Sequence, residues 1–202
     1  RAYCVNPVCT PSRASLFSGQ YPSRHGAWNV GVSVPEDRPL LSHRLAGLGY
    51  RTHYVGKAHF QPYEATPETS AESLTHEPSF YRQWHGPYYG FQTVELSCGH
   101  GMHGLHGHYG AWLDEVFGPT GLEYYRESGI PVLQSEGIMS EFAVDWDLPT
   151  MYHSSVWTAD KAIDFLESND ESSPFFLAVG FQDPHHPHAV PKDYGKRYAT
   201  NS

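Results

Sequence analysis

Cysteine is scarce in this 202-residue chain, at positions Cys4, Cys9 and Cys98 only. Three irregularly spaced thiols exclude a disulfide framework, and the Cys4–Cys9 interval fits neither a zinc knuckle nor a thioredoxin-like redox pair. Basic residues are also few. Thirteen Lys+Arg face 22 Asp+Glu, a formal net charge of −9, which argues against a nucleic-acid groove. No apolar run is long enough to span a membrane, and there is no internal repeat and no Asn-x-Ser/Thr acceptor. An initiating methionine and a signal peptide are both missing. The chain reads as a piece of a longer protein, part of a single domain, with its cellular compartment (periplasmic, secreted or cytoplasmic) left open.

Aromatic side chains, by contrast, are plentiful: 14 Tyr, 10 Phe and 5 Trp. They suit a core and its rim, or a carbohydrate- or aryl-binding surface. Leu41, Leu45 and Leu48 fall at helical spacing and predict an amphipathic helix over 39–48, closed by Gly49. A short strand follows at Arg51–Val55. Residues 61–90, rich in Pro, Glu, Thr and Ser, read as a long surface excursion. Phe91–Ser97 predicts a strand, residues 111–128 a helix broken at Gly118-Pro119, and 129–150 carries no clear pattern. A helix capped by Ser154 or Ser155 would bury Val156, Ala159, Ala162, Ile163 and Leu166. Phe175–Phe181 is a continuous apolar run, expected of a strand buried on both faces. Helix, strand and polar loop in alternation predict an α/β fold with its site at the carboxyl ends of the strands.

Three segments could bring chemistry to that edge. In the run Cys9-Thr10-Pro11-Ser12-Arg13, Pro11 suits a first helical turn, which sets Cys9 just before a helix N-terminus that favours negative charge. Arg13 lies one turn on, a permanent fork-shaped cation. Lys57 and His59 end the 51–55 strand, and His185 follows the 175–181 strand. A nucleophile, cations and histidines are what the hydrolysis of a sulfate or phosphate ester needs, usually with a metal. Asp183 is placed either to touch substrate or orient a histidine, or to open a turn with Pro184.

These motifs resemble those of the sulfatase family. Cys9 to Gly19 is similar to its modified-cysteine motif, Gly49 to His59 to its Gly-Tyr…Gly-Lys…His motif, and Pro184-His185-His186-Pro187 to its Pro-His-x-Pro turn. The resemblance implies an alkaline-phosphatase-like α/β/α sandwich with a mostly parallel central sheet, incomplete in this segment, and residues 61–150 as a substrate-specificity excursion. It implies that a formylglycine-generating enzyme oxidises Cys9 to formylglycine, which acts as nucleophile and metal ligand for Ca2+ or Mg2+. It further implies that Arg13 steadies the nucleophile, Lys57 bridges it to a sulfate oxygen, and His59 is a base. His185 would bind sulfate and help protonate the leaving alcohol. The substrate would be a sulfated small molecule or glycan. A phosphoester or phosphonate hydrolase of the same superfamily, and a silent module binding sulfated ligands, stay open as alternatives.

Two departures stand out. Ala58 occupies a place where the family usually has a bulky aromatic. The family's metal-binding aspartate pairs have no counterpart here, so residues 1–202 alone should hold the metal poorly and show little activity. The stretch 99–110 sets His100, His103, His106 and His108 among five glycines. A zinc or copper site, a substrate-facing loop and a solvated loop are all compatible with it.

Overall fold

The computed structural model describes residues 1, 3–133, 139–170 and 172–195, and side chains of these except within 130–143 and at 192 and 195. In chain order the elements are α1 (Cys9–Ser18), α2 (Pro22–His25), α3 (Leu41–Gly47), β1 (Arg51–Gly56), α4 (Pro78–Gln83), β2 (Thr93–Cys98) and α5 (Gly107–Glu127). They continue with β3 (Ile130–Leu133), β4 (Met139–Trp146), α6 (Ser154–Glu167), β5 (Phe175–Gly180), β6 (His188–Pro191) and α7 (Lys192–Gly195).

The main sheet has the order β2-β1-β5, and both pairings are parallel. Successive residues of β1 face opposite ways, and each face has its own core. Tyr54 packs with Ala14 of α1 and with Phe60, Phe91 and Leu96. Val55, on the other face, packs with Tyr109 and Leu113 of α5 and Trp157 of α6. Helices thus cover both faces of a parallel sheet, the α/β/α sandwich that the sequence predicts. A second sheet, β3-β4-β6, pairs β3 with β4 antiparallel and β4 with β6 parallel; it accounts for much of the stretch 129–150 where no pattern was legible.

Several local expectations are corrected. Helix α1 begins at Cys9 rather than after it, because Val8 is the extended N-cap residue and its carbonyl accepts from Ser12 N–H at 3.1 Å. In α3 the leucine stripe is not the buried face: Leu41 and Leu48 are exposed, whereas Leu40 and Ser42 are buried. Ser42 turns inward because its hydroxyl donates to the Tyr89 carbonyl at 2.5 Å.

The N-cap of α6 is His153, whose Nδ1 accepts from Ser155 N–H at 3.3 Å. Its inward face carries Trp157, Thr158 and Phe165, while Ile163 and Leu166 are exposed. The ring of Phe165 reaches β1, where it stacks on His53. Strand β5 is not buried on both faces. It lies at an edge of the sheet among the described residues, and Phe175, Val179 and the following Phe181 are exposed. The expected surface excursion 61–90 is instead folded against the core. It contains α4, and Glu72, Ser73, Tyr81 and Tyr88 within it are buried. The helix break at Gly118-Pro119 is present, with Gly118 at φ 68° inside α5.

Candidate active site

All three strands of the main sheet run the same way, so the segments that follow them meet at one edge. Lys57–His59 follow β1, Gly99–Gly104 follow β2, and Gln182–Pro187 follow β5. Together with the first turn of α1 they border a cleft of about 1260 Å³ lined by Cys9, Arg13, Lys57, His59, His100 and His185, among others. Every residue singled out as catalytic from the sequence therefore lines one cavity.

Two glycines make the close approach possible. Gly56 and Gly180 are partners across β1 and β5. A Cβ on Gly56, which sits at φ +90°, would lie 2.1 Å from the Gly180 carbonyl oxygen; one on Gly180 would lie 2.3 Å from that of Lys57. The gap is filled by hydrogen bonds instead. Lys57 N–H donates to Gly180 O at 2.6 Å, Arg13 Nη1 donates to Lys57 O at 2.6 Å, and Tyr54 Oη donates to the same oxygen at 2.6 Å. Arg13 thus ties α1 to the end of β1, which holds Cys9, one helical turn away, on the same cleft as Lys57.

Lys57 is only 2% exposed. Burial lowers its pKa to about 8, while the charge of Cys9 acts the other way. It is still mostly charged at neutral pH. His59 is 4% exposed and stacks face to face on Tyr63, ring centroids 3.9 Å apart. Burial first, then the Lys57 charge, depress its pKa to about 2. His185 is also lowered, chiefly by burial, and stacks on His100 at 3.7 Å. Burial and Lys57 push His100 down to about 3. The cleft therefore combines two fixed cations, Arg13 and Lys57, with neutral imidazoles.

Asp183 lines the cleft rim, but its carboxylate accepts from Ser155 Oγ and lies 3.8 Å from His153 Nδ1. It ties the β5 loop to the start of α6. The glycine–histidine loop divides by position: His100 and His103 line the cleft, and His106 lines a separate pocket beside α4 and α5. His108 is structural, with Nδ1 accepting from Leu96 N–H at 2.9 Å and Nε2 facing Trp84 O at 2.7 Å.

Sequence reasoning missed Glu72. Its carboxylate accepts from the backbone N–H groups of His59, Phe60 and Gln61 at 2.7, 2.7 and 3.2 Å, and from Tyr88 Oη at 2.6 Å. Burial raises its pKa and these donors oppose that. Glu72 holds the strained turn in which His59 sits at φ 51°. Thirteen residues separate it from His59, in a stretch whose composition suggests solvent, so no local signal marks it. Gln182 was also missed; it is buried and donates to Ser97 Oγ and to Gly104 O, joining the β5 and β2 ends of the cleft.

Among the described residues, no group of three or more His, Cys, Asp or Glu side chains is arranged to hold a metal ion. Nor is any helix among them long and apolar enough to cross a membrane.

A parallel sheet covered by helices on both faces, with an anion-suited cleft at its carboxyl edge, defines an α/β protein with a strand-end site, and its structural neighbours give the fold as alkaline-phosphatase-like. Over residues 1–202 the chain matches the sulfatase family model, and it belongs to that family. It is 28% identical over 205 residues to the arylsulfatase of Clostridium perfringens, covering 98% of this chain and 37% of that protein. In structure it is similar to the phosphonate monoester hydrolase of Agrobacterium radiobacter, with a TM-score of 0.64 at 23% identity over 96% of this chain and 35% of the other. It is also similar to Ps i-CgsB in complex with k-i-k-neocarrahexaose, with a TM-score of 0.57 at 18% identity over 99% and 40%. The chain spans about a third of the length of the curated relatives it matches.

Proposed function

We propose that the protein to which this chain contributes hydrolyses a sulfate ester, and that Cys9, Arg13, Lys57, His59 and His185 are the chain's share of its catalytic centre. The observation that carries this reading is their convergence, from three separate segments, on one cleft. Cys9, half-buried at the first turn of α1, is the place for formylglycine, made by a formylglycine-generating enzyme; that group would supply a hydroxyl nucleophile.

The remaining work falls to side chains already in place. Lys57 offers a desolvated positive charge beside Cys9 to an ester oxygen, where low polarity strengthens it. Arg13 acts by holding the Lys57 carbonyl and the Tyr54 hydroxyl. His59 is neutral, and with its pKa held to about 2 by burial and the Lys57 charge it is a weak base in the free cleft; a bound anion, by offsetting that charge, would strengthen it as the base. His185 Nδ1 faces the carbonyl of His186 and so carries hydrogen, which leaves Nε2 free. It must gain a proton there before it can protonate a leaving oxygen, and a bound anion favours that gain. Ca2+ or Mg2+ in the whole protein would need oxygen ligands besides the converted Cys9; in our reading other parts of the protein supply them, and residues 1–202 alone should turn over little.

The match to the sulfatase family favours a sulfate over a phosphate ester; the cleft itself, with Arg13 and Lys57 among its described lining residues, would hold either tetrahedral anion. A sulfated sugar or an aryl sulfate both fit a cleft of this size. The test is the ratio of kcat/KM for 4-nitrophenyl sulfate to that for 4-nitrophenyl phosphate, using full-length protein with Cys9 converted. A ratio of about 100 or more is expected; a ratio below one would overturn the sulfatase reading in favour of a phosphoester hydrolase.

A further inference from the structure

The two candidate catalytic histidines do not stand alone; each lies flat against a ring from another segment or turn, and His185 stacks on its neighbour His186 as well, at 4.5 Å. His59 and Tyr63 are stacked at 3.9 Å with planes 1° apart, and His185 and His100 at 3.7 Å with planes 14° apart. The two pairs meet edge to face, with His100 5.8 Å from His59 and 5.6 Å from Tyr63. We propose that Tyr63 and His100 are positioning residues, whose ring faces complete a four-ring stack that fixes His59 and His185 relative to Lys57. The catalytic meaning of this rests on the sulfatase reading; the stack itself does not.

The backbone is built to make these contacts. Gly99 and Gly101, on either side of His100, have φ of +87° and +51°. A Cβ on Gly101 would lie 2.5 Å from Pro187 O, and one on Gly99 2.5 Å from His103 O. The 99–104 loop is thus pressed onto the turn that carries His185, and Gln182 Nε2 clamps it through Gly104 O at 3.2 Å. On the other side, Leu74 N–H donates to Tyr63 O at 3.0 Å, and Glu72 holds the His59 backbone.

The described protein engages these two rings through their faces. Tyr63 Oη and His100 Nε2 are buried with no hydrogen-bond partner among the described residues, and buried polar atoms normally have one. What is engaged is the flat face, whose offset or edge contacts are favourable in their own right. A phenylalanine at either position should therefore serve as well.

The experiment uses full-length protein with converted Cys9 and histidine rings labelled with 13C, in wild type and in Tyr63→Phe, Tyr63→Leu, His100→Phe and His100→Ala. Thermal denaturation identifies the folded variants. In Tyr63→Leu the His59 ring signals, and in His100→Ala those of His185, should lose their ring-current displacement and broaden. With 4-nitrophenyl sulfate, kcat in these two should fall roughly 10- to 100-fold, as small misplacements of reacting groups do, with KM within about threefold. Both Phe variants should restore ring signals and most of kcat. Unmoved His59 and His185 signals in the Leu and Ala variants would overturn the inference, as would Phe variants as impaired as Leu and Ala. Wild-type protein without sulfate-ester turnover would sink the sulfatase reading instead, and the ring signals would still decide this one.

Discussion

Lys57 and Glu72 are both buried ionisable residues, and they show how different two such groups can be. Lys57 is a cation that burial weakens, its pKa lowered to about 8; it lines the cleft, where a bound anion would favour its charged form. Lys57→Met should therefore stabilise the free protein or leave it unchanged, since an uncompensated buried charge is costly, yet lower kcat/KM for a sulfate ester by about 100-fold or more. Thermal denaturation alongside kinetics checks both halves. Glu72 is the reverse case, a carboxylate saturated by four donors. Glu72→Ala would strand three backbone N–H groups and a tyrosine hydroxyl, at about 1–3 kcal/mol for a stranded group. Unfolding by denaturant should show a loss of roughly 3 kcal/mol or more, and a neutral result would mean water replaces the carboxylate without cost.

At the scale of elements, the ends of β1 and β5 decide whether the cleft exists. Gly180→Ala would drive a methyl group into the Lys57 carbonyl, break the contacts from Arg13 and Tyr54 to that oxygen, and abolish turnover; retention of wild-type kcat would contradict the geometry. The β2–α5 junction has its own requirement. His108 must be neutral to accept from Leu96 N–H, and burial lowers its pKa to about 4. The unfolded chain takes up that proton below about pH 6.5, so the folded state loses stability as pH falls from 6.5 towards 4. The expected loss between pH 7 and 5 is about 1–2 kcal/mol from this group. The change of Tm with pH, compared between wild type and His108→Gln, measures it; equal slopes would show that His108 is not responsible.

The same elements show what was legible in the sequence. The strands at 51–55 and 91–97 were readable because each is short, holds β-branched and aromatic residues and is bounded by glycine, and that at 175–181 because it is a continuous apolar run after a proline. Periodicity misjudged the buried faces of α3 and α6, because Ser42 is drawn inward by a hydrogen bond and Phe165 by a stack on His53, neither of which a hydrophobic pattern encodes. The site motifs were readable because Cys9, Lys57 and His185 sit at element ends, where spacing and position coincide. Glu72, Tyr63 and Gln182 were not, since each acts through a contact made only after the chain has folded back.

For the molecule as a whole, net charge of −9 coexists with a cleft whose described floor is cationic. Glu64 and Asp183 also line the cleft but from exposed positions, whereas Arg13 is half-buried and Lys57 buried in it, so the positive groups stand deeper, where an anion can dock. A sheet edge with exposed Phe175 and Val179, in a chain about a third as long as its relatives, is consistent with a catalytic domain assembled from more than these residues. We propose that Cys9 is the prepared nucleophile of that centre. Peptide mass spectrometry across Cys9, in the full-length protein made together with a formylglycine-generating enzyme, decides it. A mass lower by roughly 18 Da, thiol replaced by aldehyde, is expected; an intact thiol, under conditions that convert a control motif, would rule the role out.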